Sequence, residues 1–174
     1  MPSKPSTSPD CFHKSPKRST SFSVAAKSNS TLAMFRSLPR DPTGKRIGHQ
    51  KHTDIGSLAL LFSEQCGLQA LPRGASSWEL VAPRPGHAIV HGGDSLRFAS
   101  GHALQSCIRQ VVPMDVPEDR YAVAYFLRPE RERVFEDGEG RWVEAGRWHD
   151  EKYEGFERSR SEQAAGSVLT GGVA

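Results

Sequence analysis

The sequence predicts a mainly β domain carrying a tail on one side and a short helix on the other. Three observations point there. Between residues 31 and 130, short apolar segments alternate with Gly-, Pro-, Ser- and Asp-containing turns, the pattern of a β-sandwich or barrel. Residues 1–30 are rich in Ser, Pro and Lys and almost free of branched apolar side chains. Residues 131–174 open with a charged, Gly-containing stretch and then take on helical character. A chain of 174 residues supports one modest domain with flanks, provided most of Leu32 to Phe126 packs together.

Taken in order, the tail holds Lys4, Lys14, Lys17, Arg18 and Lys27 against the single acid Asp10, so it carries more than the chain's whole net charge of +3. It cannot bury enough surface to fold and should be disordered. Prolines at positions 2, 5, 9 and 16 oppose the amphipathic helix of a transit peptide. Its basic residues are scattered without aromatic interleaving, so no nucleic-acid partner is expected. Leu32 to Arg36 reads as the strand entering the domain. Asp41-Pro42 and Gly44-Lys45 form turns, and no upstream glycine makes a phosphate loop of them. Leu58 to Phe62 is continuously apolar, suited to a strand buried on both faces. Gly67 to Leu71 and Ser77 to Val81 flank Pro72-Arg73-Gly74-Ala75 as a hairpin. Ala88 to His91 is the next strand. Asp94 is placed to cap a helical turn over Ser95 to Phe98. Tyr121 to Leu127 is the last strand of the domain, opened by Arg120. Glu130 to Arg141 reads as a solvated loop, and Gly146 to Gln163 as a helix with Trp148, Tyr153 and Phe156 tending to one side.

The chemistry concentrates at His52-Thr53-Asp54. In extended chain successive side chains alternate faces, so His52 and Asp54 project together. An imidazole beside a carboxylate, with a third ligand from elsewhere, is the protein half of a non-haem Fe(II) site. Alone the pair is a weak signal, since most such pairs are surface or turn residues.

The pair is followed by Gly67-Leu68-Gln69, Trp78-Glu79-Leu80-Val81, Pro85-Gly86, Gly93-Asp94 and Arg120-Tyr121-Ala122-Val123-Ala124-Tyr125-Phe126. In this order the run resembles the core of the iron(II)- and 2-oxoglutarate-dependent oxygenases, in the branch similar to isopenicillin N synthase and nearest to members of fungal secondary metabolism. The resemblance covers roughly Leu32 to Pro129, and more loosely the tail through Phe156. It implies a double-stranded β-helix, a jelly-roll barrel with iron in its mouth. It also implies Fe(II) and 2-oxoglutarate as cofactor and co-substrate, with ascorbate as an optional reductant. The implied activity is the oxidation of an unactivated carbon of a small-molecule substrate, by hydroxylation, desaturation or ring formation. His52 and Asp54 then stand as iron ligands and Arg120 as the anchor of the 2-oxoglutarate carboxylate.

Three departures from the family pattern accompany this. The segment expected to read Ser-x-x-His-Arg-Val-Val is Ser106-Cys107-Ile108-Arg109-Gln110-Val111-Val112, so Arg109 occupies the third-ligand position. A guanidinium has no lone pair for a cation. Sliding the alignment by one residue offers Gln110, a poor ligand. His91 and His102 lie near enough in sequence to substitute, although a solvated or backbone-paired role is the commoner fate of such residues. The second departure is Ala122, where the family carries a Ser beside the keto-acid Arg. Losing that hydrogen bond costs about 1 kcal/mol. The alternative for Arg120 is a surface residue paired with Asp119 or Glu118. The third is length: family members are about twice as long, so the chain reads as a truncated copy, incomplete on its N-terminal side. Barrel edges then stand exposed to a protein partner.

Two function classes follow: an oxidoreductase of secondary-metabolite biosynthesis whose activity Arg109 impairs, and a non-catalytic remnant or partner-binding module. No apolar window is long enough to span a membrane and no secretory segment opens the chain. Cys11, Cys66 and Cys107 are odd in number and widely spaced, fitting a reducing, cytoplasmic setting and no disulfide framework.

Overall fold

In the computed structural model, the structure describes residues 27–38, 50–114, 116–165 and 168–172. The tail through residue 26 and the Asp41-Pro42 and Gly44-Lys45 turns lie outside the described residues.

Two sheets face each other and carry the site between them. The larger has strands in the order β1 (Thr31–Ser37), β7 (Arg120–Leu127), β2 (Leu58–Phe62), β5 (Ile89–Gly92), all antiparallel. The smaller runs β4 (Glu79–Leu80), β3 (Leu68–Leu71), β6 (Ile108–Val111). Non-sequential neighbours such as β7 between β1 and β2 are jelly-roll connections, which long-range pairing alone can make. Leu61 from β2, Leu68 from β3, Val111 from β6, and Ala122 and Ala124 from β7 meet between the sheets as one core. Small residues at 122 and 124 leave room for the cavity beside it.

Alternation governs which faces are buried. On β2, Ala59 and Leu61 are buried while Phe62 is 47% exposed, so this run is not the doubly buried strand its composition predicts. The outward face of the large sheet is solvent-facing and apolar instead. The β3–β4 hairpin forms as expected, with Gln69 opposite Leu80, although β4 is only two residues long.

Three further differences have physical causes. Lys27 to Ser30, grouped with the tail by composition, are pinned: Ser28 bridges Glu130, and the Arg131 amide donates to Lys27 O at 3.0 Å. The charged stretch after residue 130 is a hairpin, β8 (Val134–Glu136) and β9 (Trp142–Glu144), and not a solvated loop. Asp137, almost fully buried, drives its turn by accepting from the amides of Glu139 and Arg141, both at 2.9 Å, while Phe135 is buried beneath. The expected single C-terminal helix is two, α2 (Ala145–Glu157) and α3 (Arg160–Ala165). Ser159 and Glu162 form a reciprocal capping box that starts α3, and it interrupts the first helix at Arg158. Trp148 on α2 packs with Ile55, Phe98, Phe135 and Ala145 in a second core. Tyr153, by contrast, is 56% exposed and stacks on His149 rather than joining that core.

Candidate functional site

The backbone from His52 to Gly56 is clamped from two sides, which is what places its side chains. His52 exchanges both backbone hydrogen bonds with Arg109, at 2.9 and 2.8 Å, as an isolated bridge that extends the edge of β6. On the other side lies the short helix α1 (Asp94–Ala99), whose first amides donate to the carbonyls of Asp54, Ile55 and Gly56. These carbonyls satisfy N–H groups that a helix start otherwise leaves open. Gly93 makes the approach possible: a Cβ there would lie 2.2 Å from Gly56 O.

Asp94 is therefore not the cap predicted for this helix. The cap position is Gly93, Asp94 is the first helical residue, and no side-chain cap bond forms. Its carboxylate, fully buried, points into the protein and accepts from Thr53 Oγ1 at 2.9 Å and from Lys152 Nζ. Lys152, also fully buried, donates to Thr53 Oγ1 at 2.6 Å. Thr53 thus faces away from its two neighbours, as strand alternation requires.

His52 and Asp54 share the opposite face, with His52 Nε2 4.0 Å from Asp54 Oδ1. His52 Nδ1 meets Gln50 O at 2.6 Å, and its ring packs edge-on against Phe156 at 5.2 Å between centroids. Arg109 completes the group. Its Nη2 donates to Asp54 Oδ1 at 2.5 Å and its Nε to the same oxygen at 3.1 Å. All three side chains are buried. Gln110 faces elsewhere and pairs with Gln69 across the small sheet.

The charges follow from this burial. Burial, and then Arg109, push the His52 imidazole down to about 3, overcoming the favourable pull of Asp54. Burial raises the Asp54 carboxyl, but Arg109 and then His52 outweigh it and hold the group below the usual carboxylate range. His91, buried on β5, is lowered to about 4 by burial and then by Arg109, and its Nε2 has no hydrogen-bond partner among the described residues. His102 is exposed on the loop after α1, with its ring 5.8 Å from that of Phe98, and does not reach the site.

Arg120 opens β7 and turns inward, donating from Nε to Cys66 O at 3.0 Å. It is not a surface residue paired with Asp119, which binds Arg36 at 2.6 Å instead. A cavity of about 890 Å³ is lined by His52, Asp54, Arg109, Arg120, Arg128 and the aromatic side chains of Phe35, Phe126 and Phe156, among others. That is the size of a small-molecule site.

A divalent cation does not fit this donor set. The Asp54 oxygen facing His52 is taken by a guanidinium, and among the described residues no group of three His, Cys, Asp or Glu stands close enough to hold a metal ion. At about 5 Å and an effective dielectric near 20, one positive charge opposes a divalent ion by roughly 7 kcal/mol. The sequence brings His52, Asp54, Arg109 and Arg120 to one cavity. What it did not show is that Lys152, Thr53 and Asp94 meet, or that Arg128 lines the cavity, because their partners lie far away along the chain.

Residues 28–129 match the 2OG-Fe(II) oxygenase superfamily. The chain is 47% identical over 152 residues to a 2-oxoglutarate-dependent dioxygenase of Amanita muscaria, covering 84% of this chain and 74% of that one. It is 45% identical over 150 residues to an oxidoreductase of Penicillium aethiopicum, covering 85% of this chain but 36% of the relative. A third relative, a 2-oxoglutarate-dependent dioxygenase of a Dothideomycetidae species, is 44% identical and is covered over 46% of its length. The chain thus spans less than half the length of two of these three curated relatives. Among solved structures, the dioxygenase for auxin oxidation of rice superposes with a TM-score of 0.61 at 26% identity, over 74% of this chain and 47% of that one. A Neurospora crassa protein solved with alpha-KG superposes with a TM-score of 0.60 at 22% identity, over 71% of this chain and 44% of its own.

Proposed function

The chain belongs to the 2OG-Fe(II) oxygenase superfamily, and on that footing we propose that it is an oxidoreductase-type domain for the oxidative tailoring of small molecules, with its iron centre closed by Arg109. Members of this superfamily use Fe(II) and 2-oxoglutarate, with ascorbate only as an optional reductant. The reading places the chain in secondary-metabolite biosynthesis and in the cytoplasm, with hydroxylation, desaturation or cyclisation as the reaction class. Among the described residues no helix is long and apolar enough to cross a membrane.

The observation that carries the closure is the 2.5 Å contact from Arg109 Nη2 to Asp54 Oδ1. In this reading His52 and Asp54 stand at the two positions where iron ligands would be expected, with Asp54 held by Arg109 instead, and Arg120 anchors the 2-oxoglutarate carboxylate. Ala122 supplies no second hydrogen bond to that carboxylate. What remains is a binding cavity with strongly impaired chemistry.

The test is succinate release from 2-oxoglutarate, in air, with Fe(II) added and no other substrate. The parent protein should stay at the no-enzyme background, and Arg109→His should rise at least about tenfold above it. Equal release by both proteins would remove Arg109 from the explanation.

The outer face of the large sheet favours a second reading, that of a partner-binding module. Leu32 and Met34 on β1 are 65% and 84% exposed, and they lie opposite Tyr125 and Val123 of β7, which are also exposed. A contiguous apolar face of this kind marks an interaction surface. Replacing Leu32 and Met34 together by Lys should abolish any association that light scattering detects in the parent. Unchanged association would exclude the face.

A further inference from the structure

The cavity carries more positive charge than its own carboxylate can balance. Among its described lining residues, Asp54 is the one acid, against Arg109, Arg120 and Arg128. Arg128 spends its guanidinium on Asn29 O and on Thr31 Oγ1 at 3.0 Å, and stands over the Phe126 ring, none of which supplies negative charge. Arg120 reaches a neutral carbonyl, and Asp119, the nearest acid in sequence, is committed to Arg36. Arg109 and Arg120 are only 7% and 8% exposed. Buried cations without counter-charge are costly, so such a site favours an anion.

The geometry also leaves donors free. A guanidinium has five N–H groups, of which Arg109 gives two to one Asp54 oxygen and Arg120 gives one to Cys66 O. Each retains enough of its fork to pair with a carboxylate.

We propose that this cavity binds a small dicarboxylate without any divalent metal, Arg109 holding one carboxylate and Arg120 the other. Arg109, itself held in place by Asp54, becomes the cationic anchor at the end of the cavity where a metal would be expected. The inference rests on the reading that Arg109 closes the iron centre.

The experiment is calorimetric titration of the full chain with succinate and with 2-oxoglutarate, first in EDTA and then with Mn(II) in its place. Equal affinity under both conditions is expected, and butyrate, with one carboxylate, should bind at least about tenfold more weakly than succinate. Arg109→Gln should weaken succinate binding by about ten- to hundredfold, the range for a hydrogen bond to a charged partner. Asp54→Asn tests the same point with Arg109 intact, and it should bind succinate at least as tightly as the parent. Binding that is absent in EDTA and appears with Mn(II) would overturn the proposal and the closure of the iron centre together. No binding under either condition would overturn the proposal alone. Loss of binding in a folded Asp54→Asn protein, or butyrate binding as well as succinate, would also overturn it.

Discussion

Replacing Lys152 with Met should destabilise the domain by about 3–5 kcal/mol, the cost of breaking a buried ion pair by removing one partner. Lys152 and Asp94 are both fully buried, and the ammonium also donates to Thr53 Oγ1 at 2.6 Å. Methionine preserves the length and apolar stem but, among the described residues, leaves the Asp94 carboxylate with the Thr53 hydroxyl at 2.9 Å and Arg97 at 3.9 Å. That residual cation argues for the lower end, about 3 kcal/mol, which corresponds to a fall in Tm of about 6–12 °C for a chain of this size. Neutralising both partners, as Asp94→Asn with Lys152→Met, should cost less than Lys152→Met alone, because neither member of the pair is then left as a fully buried, unpaired charge. Urea and thermal unfolding of the two single variants and the double variant measure this cycle. A Lys152→Met protein within about 1 kcal/mol of the parent, or strictly additive effects, would refute the reasoning.

Stability should also fall on acidification below pH 6.5. His52 and His91 are lowered to about 3 and about 4 in the folded protein, so between pH 6.5 and 4 the unfolded chain binds two protons that the folded one refuses. Unfolding free energy then rises with pH across that window, by as much as about 2.7 kcal/mol per unit. His91→Gln should remove about half of the slope, and a flat denaturation profile from pH 6.5 to 4 would contradict both shifts. Gly93→Ala should cost about 1–3 kcal/mol, because its Cβ would meet the Gly56 and Asp54 carbonyls at 2.2 and 2.9 Å. An unchanged denaturation midpoint would show that the α1 clamp yields more easily than its geometry implies.

The strands were legible because period-two alternation and turn residues are local signals. β1, β3, β5 and β7 lie within a residue or two of where apolar runs and Gly or Pro punctuation place them. The meeting of His52 with Asp54 was legible for the same reason. What escaped depends on distant partners. Asp94 reads locally as a cap, and only the arrival of Lys152, 58 residues later, turns it into a buried anchor. Lys152 itself looks like any solvated helical lysine until α2 packs over Thr53. The capping box at Ser159 and Glu162 was present in the sequence but was masked by the apparent continuity of the helix. The sequence marked Arg109 only as the residue at the expected third-ligand position; its direct pairing with Asp54 was not legible, since that needs the bridge between His52 and β6.

The most direct test of the closed iron centre is an anaerobic Fe(II) titration in the presence of 2-oxoglutarate, followed by the weak visible charge-transfer band of chelated iron. The parent protein, shown folded by circular dichroism, should give no band. Arg109→His should give one, and adding Asp54→Ala should abolish it again. A band in the parent that disappears in Asp54→Ala would mean that iron displaces the guanidinium, and the account of a closed centre would fail.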